Sequence, residues 1–260
     1  MSHAWELVVG KTDRGLPACR AERGWRTGAL AVLAVLMAHT PAYAQKAAAT
    51  AHKLVVVELF QSQGCSSCPP AEANLNAVAS TPGVLALSFG VTYWDSLGWK
   101  DTFATDAYTQ RQWAYAHYRG RNTVWTPQIY VNGHTDLVGT ERAQLDDAIA
   151  EAHSDGPLIQ WLGDQLIVKG AAKAQRASDV WLVRYDPRTQ LVPIGAGENG
   201  GRTLPQRNVV RELDHLGSWQ GGERRYPLPA PSMSGLSTAV LVQIADGGEI
   251  QSAALQPPRN

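Results

Sequence analysis

Leu54-Val55-Val56-Val57-Glu58-Leu59-Phe60-Gln61-Ser62-Gln63-Gly64-Cys65-Ser66-Ser67-Cys68-Pro69-Pro70 sets an almost unbroken apolar run directly before two cysteines two residues apart. Three successive valines predict a strand buried on both faces over Leu54 to Phe60. Pro69 and Pro70 do not exclude a helix beginning near Ser66, because first-turn N–H groups have no intrahelical partner to lose. Alanine, leucine and valine recur at helical spacing through Ala79, and Thr81-Pro82-Gly83 stops the helix. Val84 to Val91 reads as a second strand, making a parallel β-α-β unit with the cysteines at its first turn.

Residues 92–124 form an aromatic-rich insertion that includes Tyr93, Trp94, Trp99, Phe103 and Trp113. A helix is expected over Asp106 to Arg119, ended by Gly120. Pro127 opens a strand over Gln128 to Val131, and Asn132-Gly133 turns the chain into a short partner strand near Leu137. Thr140 is placed to cap a last helix, Glu141 to about Ala152. The order β-α-β, helix, β-β-α resembles the thioredoxin core with an insertion before its second half. Past Asp155-Gly156-Pro157 the pattern changes to short apolar runs, from Leu158–Trp161 to Ile250–Leu255, separated by Gly, Pro, Asp and Asn. The expected fold is an α/β thioredoxin-like domain over 53–155, with a helical insertion at 92–124, followed by an all-β antiparallel sandwich domain over 156–260.

Composition narrows the function classes. At 260 residues, 44% hydrophobic and 18% charged, the chain can bury a sizeable core. A formal net charge of zero and the lack of a long basic run argue against a nucleic-acid partner. Arg20, Arg23 and Arg26 precede the apolar stretch Gly28 to Ala38, and Ala42-Tyr43-Ala44 supplies small residues for a signal peptidase. A signal peptide over 1–44, cleaved after Ala44, and a linker over 45–52 are therefore expected, with a periplasmic or secreted product. The apolar stretch is about half the roughly twenty residues that span a bilayer, so no stable membrane insertion is expected. Cys19 would leave with the leader, and an exported chain keeping one C-x-x-C has no disulfide framework. Closing so short a loop contributes only roughly 2 kcal/mol, a weak structural reason to keep the pair.

Chemistry is the stronger reason. Cys65, at a helix N-terminus, is placed to form a thiolate and attack a substrate sulfur. Cys68, one turn inside and expected to be the more buried, would resolve the mixed disulfide. A structural pair and a metal-binding pair are the alternatives. In proteins of the thioredoxin class a cis-proline before the third strand faces the dithiol, and Thr126-Pro127 resembles it; a cis bond there would expose the Thr126 backbone to an extended substrate, and a trans edge proline is the plain alternative. Glu58 is a carboxylate in an apolar strand and needs a reason to be there. Thioredoxins often place an acid near this point, usually one residue closer to the cysteines, to relay the buried cysteine's proton. Glu58 is read either as that relay or as an ion-paired or solvent-facing residue. His117 and His134 are candidate thiol-proximal bases set against ordinary surface histidines. Gly195 to Gly201 has phosphate-loop glycines without the strand-to-helix context, and reads as a turn. The aromatic insertion reads as packing for an added helix, or as a recognition surface.

Four stretches carry a longer resemblance: Glu58 to Pro70, Tyr93 to Asp101, Thr126 to Gln128, and Gly197 to Leu204. Together they resemble the bacterial secreted thioredoxin-like family of unknown function known as domain-of-unknown-function family 1223. The resemblance implies a thioredoxin-like fold and an exported protein, and no established substrate. This chain has Gly90-Val91-Thr92 where members carry His-Val-Asp, and Ala196 where arginine is usual.

The reading that joins these features is an exported thiol–disulfide oxidoreductase. Cys65 attacks, Cys68 resolves, Thr126 and Pro127 shape docking and Glu58 assists proton transfer. Its partners would be a protein or small-thiol disulfide substrate and an envelope redox partner, with no cofactor and no resident metal. A periplasmic copper(I)-binding or delivery protein using the same two thiolates is one alternative. A non-catalytic interaction module is the other.

Overall fold

The computed structural model describes residues 54–257. The expected signal peptide over 1–44, the linker over 45–52 and Cys19 lie outside them.

Strand β1 (Val55–Gln61) pairs in parallel with β2 (Val84–Gly90), and helix α1 (Cys68–Val78) makes the crossover. A 3-10 turn at Thr92–Leu97 leads to helix α2 (Asp106–Tyr118), whose N-cap Thr105 accepts a hydrogen bond from Tyr108 N–H. Strand β3 (Gln128–Val131) pairs antiparallel with the other edge of β1. It turns at Asn132-Gly133, both at positive φ, into β4 (Thr135–Leu137). Helix α3 (Arg142–Glu151) begins one residue later than expected, with Glu141 rather than Thr140 at its N-cap.

The rest of the described chain is strands: β5 (Leu158–Leu162), β6 (Gln165–Lys169), β7 (Ser178–Asp186), β8 (Gln190–Pro193), β9 (Thr203–Gln206), β10 (Val209–Trp219), β11 (Glu223–Pro227), β12 (Ser237–Ile244) and β13 (Ile250–Leu255). Eight strands form one mixed sheet in the order β13-β12-β7-β10-β2-β1-β3-β4. Strands β11-β6-β5 form a three-stranded antiparallel sheet, and β8-β9 a separate hairpin.

The boundary expected at residues 155–157 does not separate two sheets. Strand β10 pairs with β2 through Val209 and Ser88. Ser88 N–H donates to the Asn208 carbonyl at 3.0 Å, and the Asn208 amide donates to the Ala86 carbonyl at 2.8 Å. Four C-terminal strands thus extend the sheet begun by β1 and β2, and the described residues belong to one compact unit. The physical reason is that an uncovered β2 edge would present a row of unpaired backbone groups. Layered β packing does occur within this unit: β5, β6 and β11 cover β7 and β12 through Ile159, Leu166, Val168, Val180, Leu182 and Val240.

Alternation along β1 sorts the core into two faces. Val57 and Leu59 meet α1 and α3 through Ala71, Leu75, Val78 and Leu145. Val56 and Phe60 point the other way, into a cluster with Tyr108 and Tyr115 of α2 that continues to Val183 and Leu241. Glu58 shares this second face and so points away from α1. Its carboxylate accepts a hydrogen bond from Arg111 Nε at 2.8 Å and another from the Tyr115 hydroxyl. Arg111 also donates to Gln243 Oε1 at 3.0 Å, tying α2 to β12. The ion-paired reading describes Glu58, and proton relay to a cysteine on α1 does not, because the sheet lies between them.

A buried ion pair that loses one partner leaves an uncompensated charge. Glu58→Gln is expected to destabilise the protein by about 3 kcal/mol, read from the urea midpoint at constant m-value. Glu58→Leu combined with Arg111→Met is expected to recover most of that loss. A double variant as unstable as the single one would refute this account of the pair.

Candidate functional site

The chain leaves β1 at Gln61, turns through Ser62, Gln63 and Gly64, and enters α1 at Cys68. The helix therefore starts two residues later than expected, with Cys65 just outside it and Cys68 in its first turn. Cys68 N–H donates to the Cys65 carbonyl at 3.2 Å, and Cys65 N–H to the Ser62 carbonyl at 3.1 Å. These bonds fold the C-x-x-C segment so that its two cysteine Cα atoms are 5.4 Å apart and the sulfurs are joined as a disulfide. The Ser67 hydroxyl lies 3.3 Å from Cys65 Sγ.

Cys68 is not the more buried of the two, since exposure is 0% at Cys65 and 1% at Cys68. The loop between β8 and β9 is fastened to this turn by hydrogen bonds. The buried Asn199 amide donates to the carbonyls of Gln63 and Cys65, both at 2.9 Å, and Arg202 donates to Asn199 Oδ1 at 2.6 Å. Beside it, Glu198 Oε2 accepts from Ser66 N–H at 3.0 Å and from the Ser66 hydroxyl at 2.7 Å. These hydrogen bonds hold the Glu198 carboxyl below its usual range. Gly197 has φ +73°, and a Cβ there would lie 3.2 Å from Trp99 Cβ, so only glycine brings the loop this close. The turn expected at Gly195 to Gly201 is present, and its role in fastening the cysteine turn is new.

The aromatic insertion anchors the other side through the buried Gln63. Trp99 indole N–H donates to Gln63 Oε1 at 3.0 Å, and Gln63 Nε2 donates to Gln206 Oε1 at 3.1 Å. Gln63 N–H is taken by Asp101 Oδ2 at 2.8 Å. Burial raises the Asp101 carboxyl above its usual range, although the Gln63 and Phe103 amides oppose the shift. The insertion thus packs and also supports the cysteine turn, while Tyr93 and Leu97 stay exposed. Gly90, where the resembling family carries histidine, is closed off: a Cβ would stand 2.9 Å from Ala104 N.

The Thr126–Pro127 peptide bond is cis, and Pro127 is buried. Pairing of Gln128 with Phe60 sets it beside the chain that runs on to the cysteine turn. Gln112 holds this corner, donating to the Trp125 carbonyl and to Gln128 Oε1, both at 2.8 Å. His134 pairs with Glu249, and His117 lies against Trp113, so each has a partner outside the cysteine turn.

Glu72 is the acid that the sequence reading missed. It sits four residues beyond Cys68 on the buried side of α1 and is 4% exposed. The Ser88 hydroxyl donates to Oε2 at 3.0 Å and Arg207 N–H to Oε1 at 3.4 Å. Burial pushes its pKa from 4.5 up to about 7, against the pull of these two donors. Its sequence signal was an acid on the apolar stripe Cys68, Ala71, Leu75 and Val78. A small cavity of about 40 Å³ is lined by Gln61, Ser62, Cys68, Glu72 and Gln206 among others.

A raised acid pKa in the folded state means a contribution that is complete below pH 4.5 and is lost as pH rises through about 7. Glu72→Gln is therefore expected to be more stable than the natural protein by about 3 kcal/mol at pH 8, and equal to it at pH 4. Urea unfolding at the two pH values checks this. The same difference at both would show that Glu72 is not the titrating group.

The crystal structure of protein AGR_C_4864 from Agrobacterium tumefaciens is similar at 30% identity and a TM-score of 0.63, covering 79% of this chain and 97% of that one. HBP35 of Porphyromonas gingivalis aligns at 13% identity with a TM-score of 0.46, over 79% of this chain and 75% of that one. A search of curated proteins finds no match. The family model described as Protein of unknown function (DUF1223) matches residues 56–243, from within β1 to within β12, and the chain belongs to that family.

Proposed function

We propose that the protein is a thiol–disulfide exchange protein of thioredoxin-like build, acting in an oxidising compartment outside the cytoplasm. The observation that carries this reading is the Cys65–Cys68 disulfide at the first turn of α1, directly behind a strand of a parallel β-α-β unit. The cis Thr126–Pro127 bond before β3, and the order β3-β4-α3, support the thioredoxin-like reading of this half. In the reduced state, Cys65 lies beside the unpaired N–H groups of the first helical turn, which favour its thiolate. It attacks a substrate disulfide, and Cys68 then displaces the substrate thiol.

Exchange requires a substrate sulfur to reach Cys65, which is fully buried, and we assign the opening to the Glu198–Asn199 loop, which is hydrogen-bonded to Ser66 and to the Cys65 carbonyl. Outward movement of this loop is therefore part of the reaction. The two hydrogen bonds of the Asn199 amide to the turn are each worth about 1 kcal/mol, so opening lies within ordinary local fluctuations. The copper(I) alternative has the two thiolates alone to offer: among the described residues no group of three His, Cys, Asp or Glu side chains forms.

Equilibration of the protein lacking residues 1–44 in graded glutathione buffers, with free thiols counted by alkylation mass shift, tests the reading. A midpoint between about −120 and −270 mV supports exchange, and resistance below about −300 mV assigns the pair a structural role. Cys65→Ser should abolish exchange with peptide disulfides, and Cys68→Ser should accumulate mixed disulfides. Copper(I) bound one-to-one by the reduced protein and lost in both variants would favour the alternative. Asn199→Ala should speed reduction by glutathione about tenfold, the effect of losing its two bonds to the cysteine turn. An unchanged rate would remove the loop from the reaction.

A further inference from the structure

We propose that β5 (Leu158–Leu162) is a pairing edge for a second copy of this chain, the two strands running antiparallel about a two-fold axis at Gln160. This stands apart from the exchange reading above and does not depend on it.

The edges of the sheets are the starting point. An edge strand presents unpaired main-chain groups, and natural proteins guard such edges with charge, proline, short length or a covering segment. Among the described residues the other edge strands each have one of these guards. β4 is three residues long and carries Asp136. β8 and β9 hold Pro193 and Pro205. β11, the far edge of the three-stranded sheet, holds Glu223, Arg224, Arg225 and Pro227. Residues 154–156 lie against β13, where the Ser154 hydroxyl and Gly156 N–H donate to the Gln251 carbonyl at 2.6 and 2.9 Å. β5 is different. Its sequence, Leu-Ile-Gln-Trp-Leu, has no charge and no proline, and it pairs with β6 alone.

The hairpin fixes which groups face out. Leu162 and Gln165 flank the turn Gly163-Asp164, with Gly163 at φ 60°. In a two-residue hairpin the flanking pair exchanges hydrogen bonds, and alternation then gives Gln160 and Leu158 to β6 as well. The main-chain groups of Ile159 and Trp161 point to the side where the sheet has no strand. Their side chains pack inward with Leu166, Val168 and Leu182. Leu158 and Leu162 turn to the opposite face and are 44% and 52% exposed.

This pattern is its own complement. A two-fold contact uses the same patch on both copies, so about Gln160 each residue meets the one equally far beyond the axis. Ile159 of each copy exchanges both N–H···O bonds with Trp161 of the other. Leu158 of each copy lies across from Leu162 of the other, joining the exposed leucines in pairs. The strand has no charge, so the pairing sets no like charges opposite one another. One strand pair is smaller than the roughly 1,000 Å² of a stable interface, so the association is weak and concentration-dependent.

Sedimentation equilibrium tests this on the protein lacking residues 1–44, which keeps the whole compact unit. Between about 1 and about 300 µM the mean mass should rise from that of one chain toward that of two. Leu158→Lys with Leu162→Lys sets like charges opposite at both ends and should weaken the dimer at least about tenfold. Leu158→Lys with Leu162→Glu sets opposite charges there and should stay within about threefold of the natural protein. Both leucines are exposed, so neither variant should move the urea midpoint of the dilute monomer. Natural protein that stays one chain at the upper concentration would overturn the proposal and leave the edge to a strand of another protein. Equal association by all three forms would place the interface away from β5. Equal weakening of both variants would refute the two-fold register. A dimer dispersed by reductant alone would be disulfide-linked, which also refutes strand pairing.

Discussion

Period-two alternation in β1 is the constraint on which the rest depends. A strand paired on both edges and covered on both faces has no freedom to slip, because a shift of one residue turns every side chain to the opposite layer. β1 is paired with β2 and β3, so Val57 and Leu59 must face α1 while Val56, Glu58 and Phe60 face α2. That sorting holds α1 against the sheet and sets its first turn, with the cysteines, at the end of β1. It also decides the side of the sheet on which each buried acid lies. Glu58 is committed to Arg111 on the far layer, and Glu72, carried by the helix itself, stands on the near one.

The site is a balance between groups that favour a thiolate and groups that oppose it. First-turn N–H groups and serine hydroxyls favour negative charge beside Cys65. Glu198 occupies the Ser66 N–H and hydroxyl with a charge of its own, so a thiolate and a seated Glu198 compete for the same donors. In the disulfide-bonded form those donors belong to Glu198.

Much of the fold was legible in the sequence, and the physics explains the remainder. Local signals carried the strand before the cysteines, the helix after them, the 106–118 helix and the Asn132-Gly133 hairpin, since periodicity and turn chemistry act over a few residues. The junction of the two halves was not legible, because it rests on one bridge between Val209 and Ser88 and on an asparagine at φ 53°. Strands β9 and β11 were missed, being short and mostly polar or exposed. Asn199 and Glu198 look like turn residues in sequence; only tertiary proximity gives them work at the cysteines. Of the two readings of Glu58, relay would need a bulge to turn it toward the cysteines; a bulge leaves no local trace in sequence, and the β1 register runs unbroken from Val55 to Gln61.

The Asn199 amide and the Cys65 carbonyl that it fastens are 134 residues apart in the chain. Synthesis runs from the N-terminus, so Cys65 and Cys68 emerge long before the segment that fastens their turn. Closing a loop of that length precedes any gain from the contacts it makes, which puts this closure among the late events of folding. Until then the cysteine turn lacks the hydrogen bonds from Glu198 and Asn199 that fasten it in the folded protein. The cysteine turn is therefore made early and fastened late.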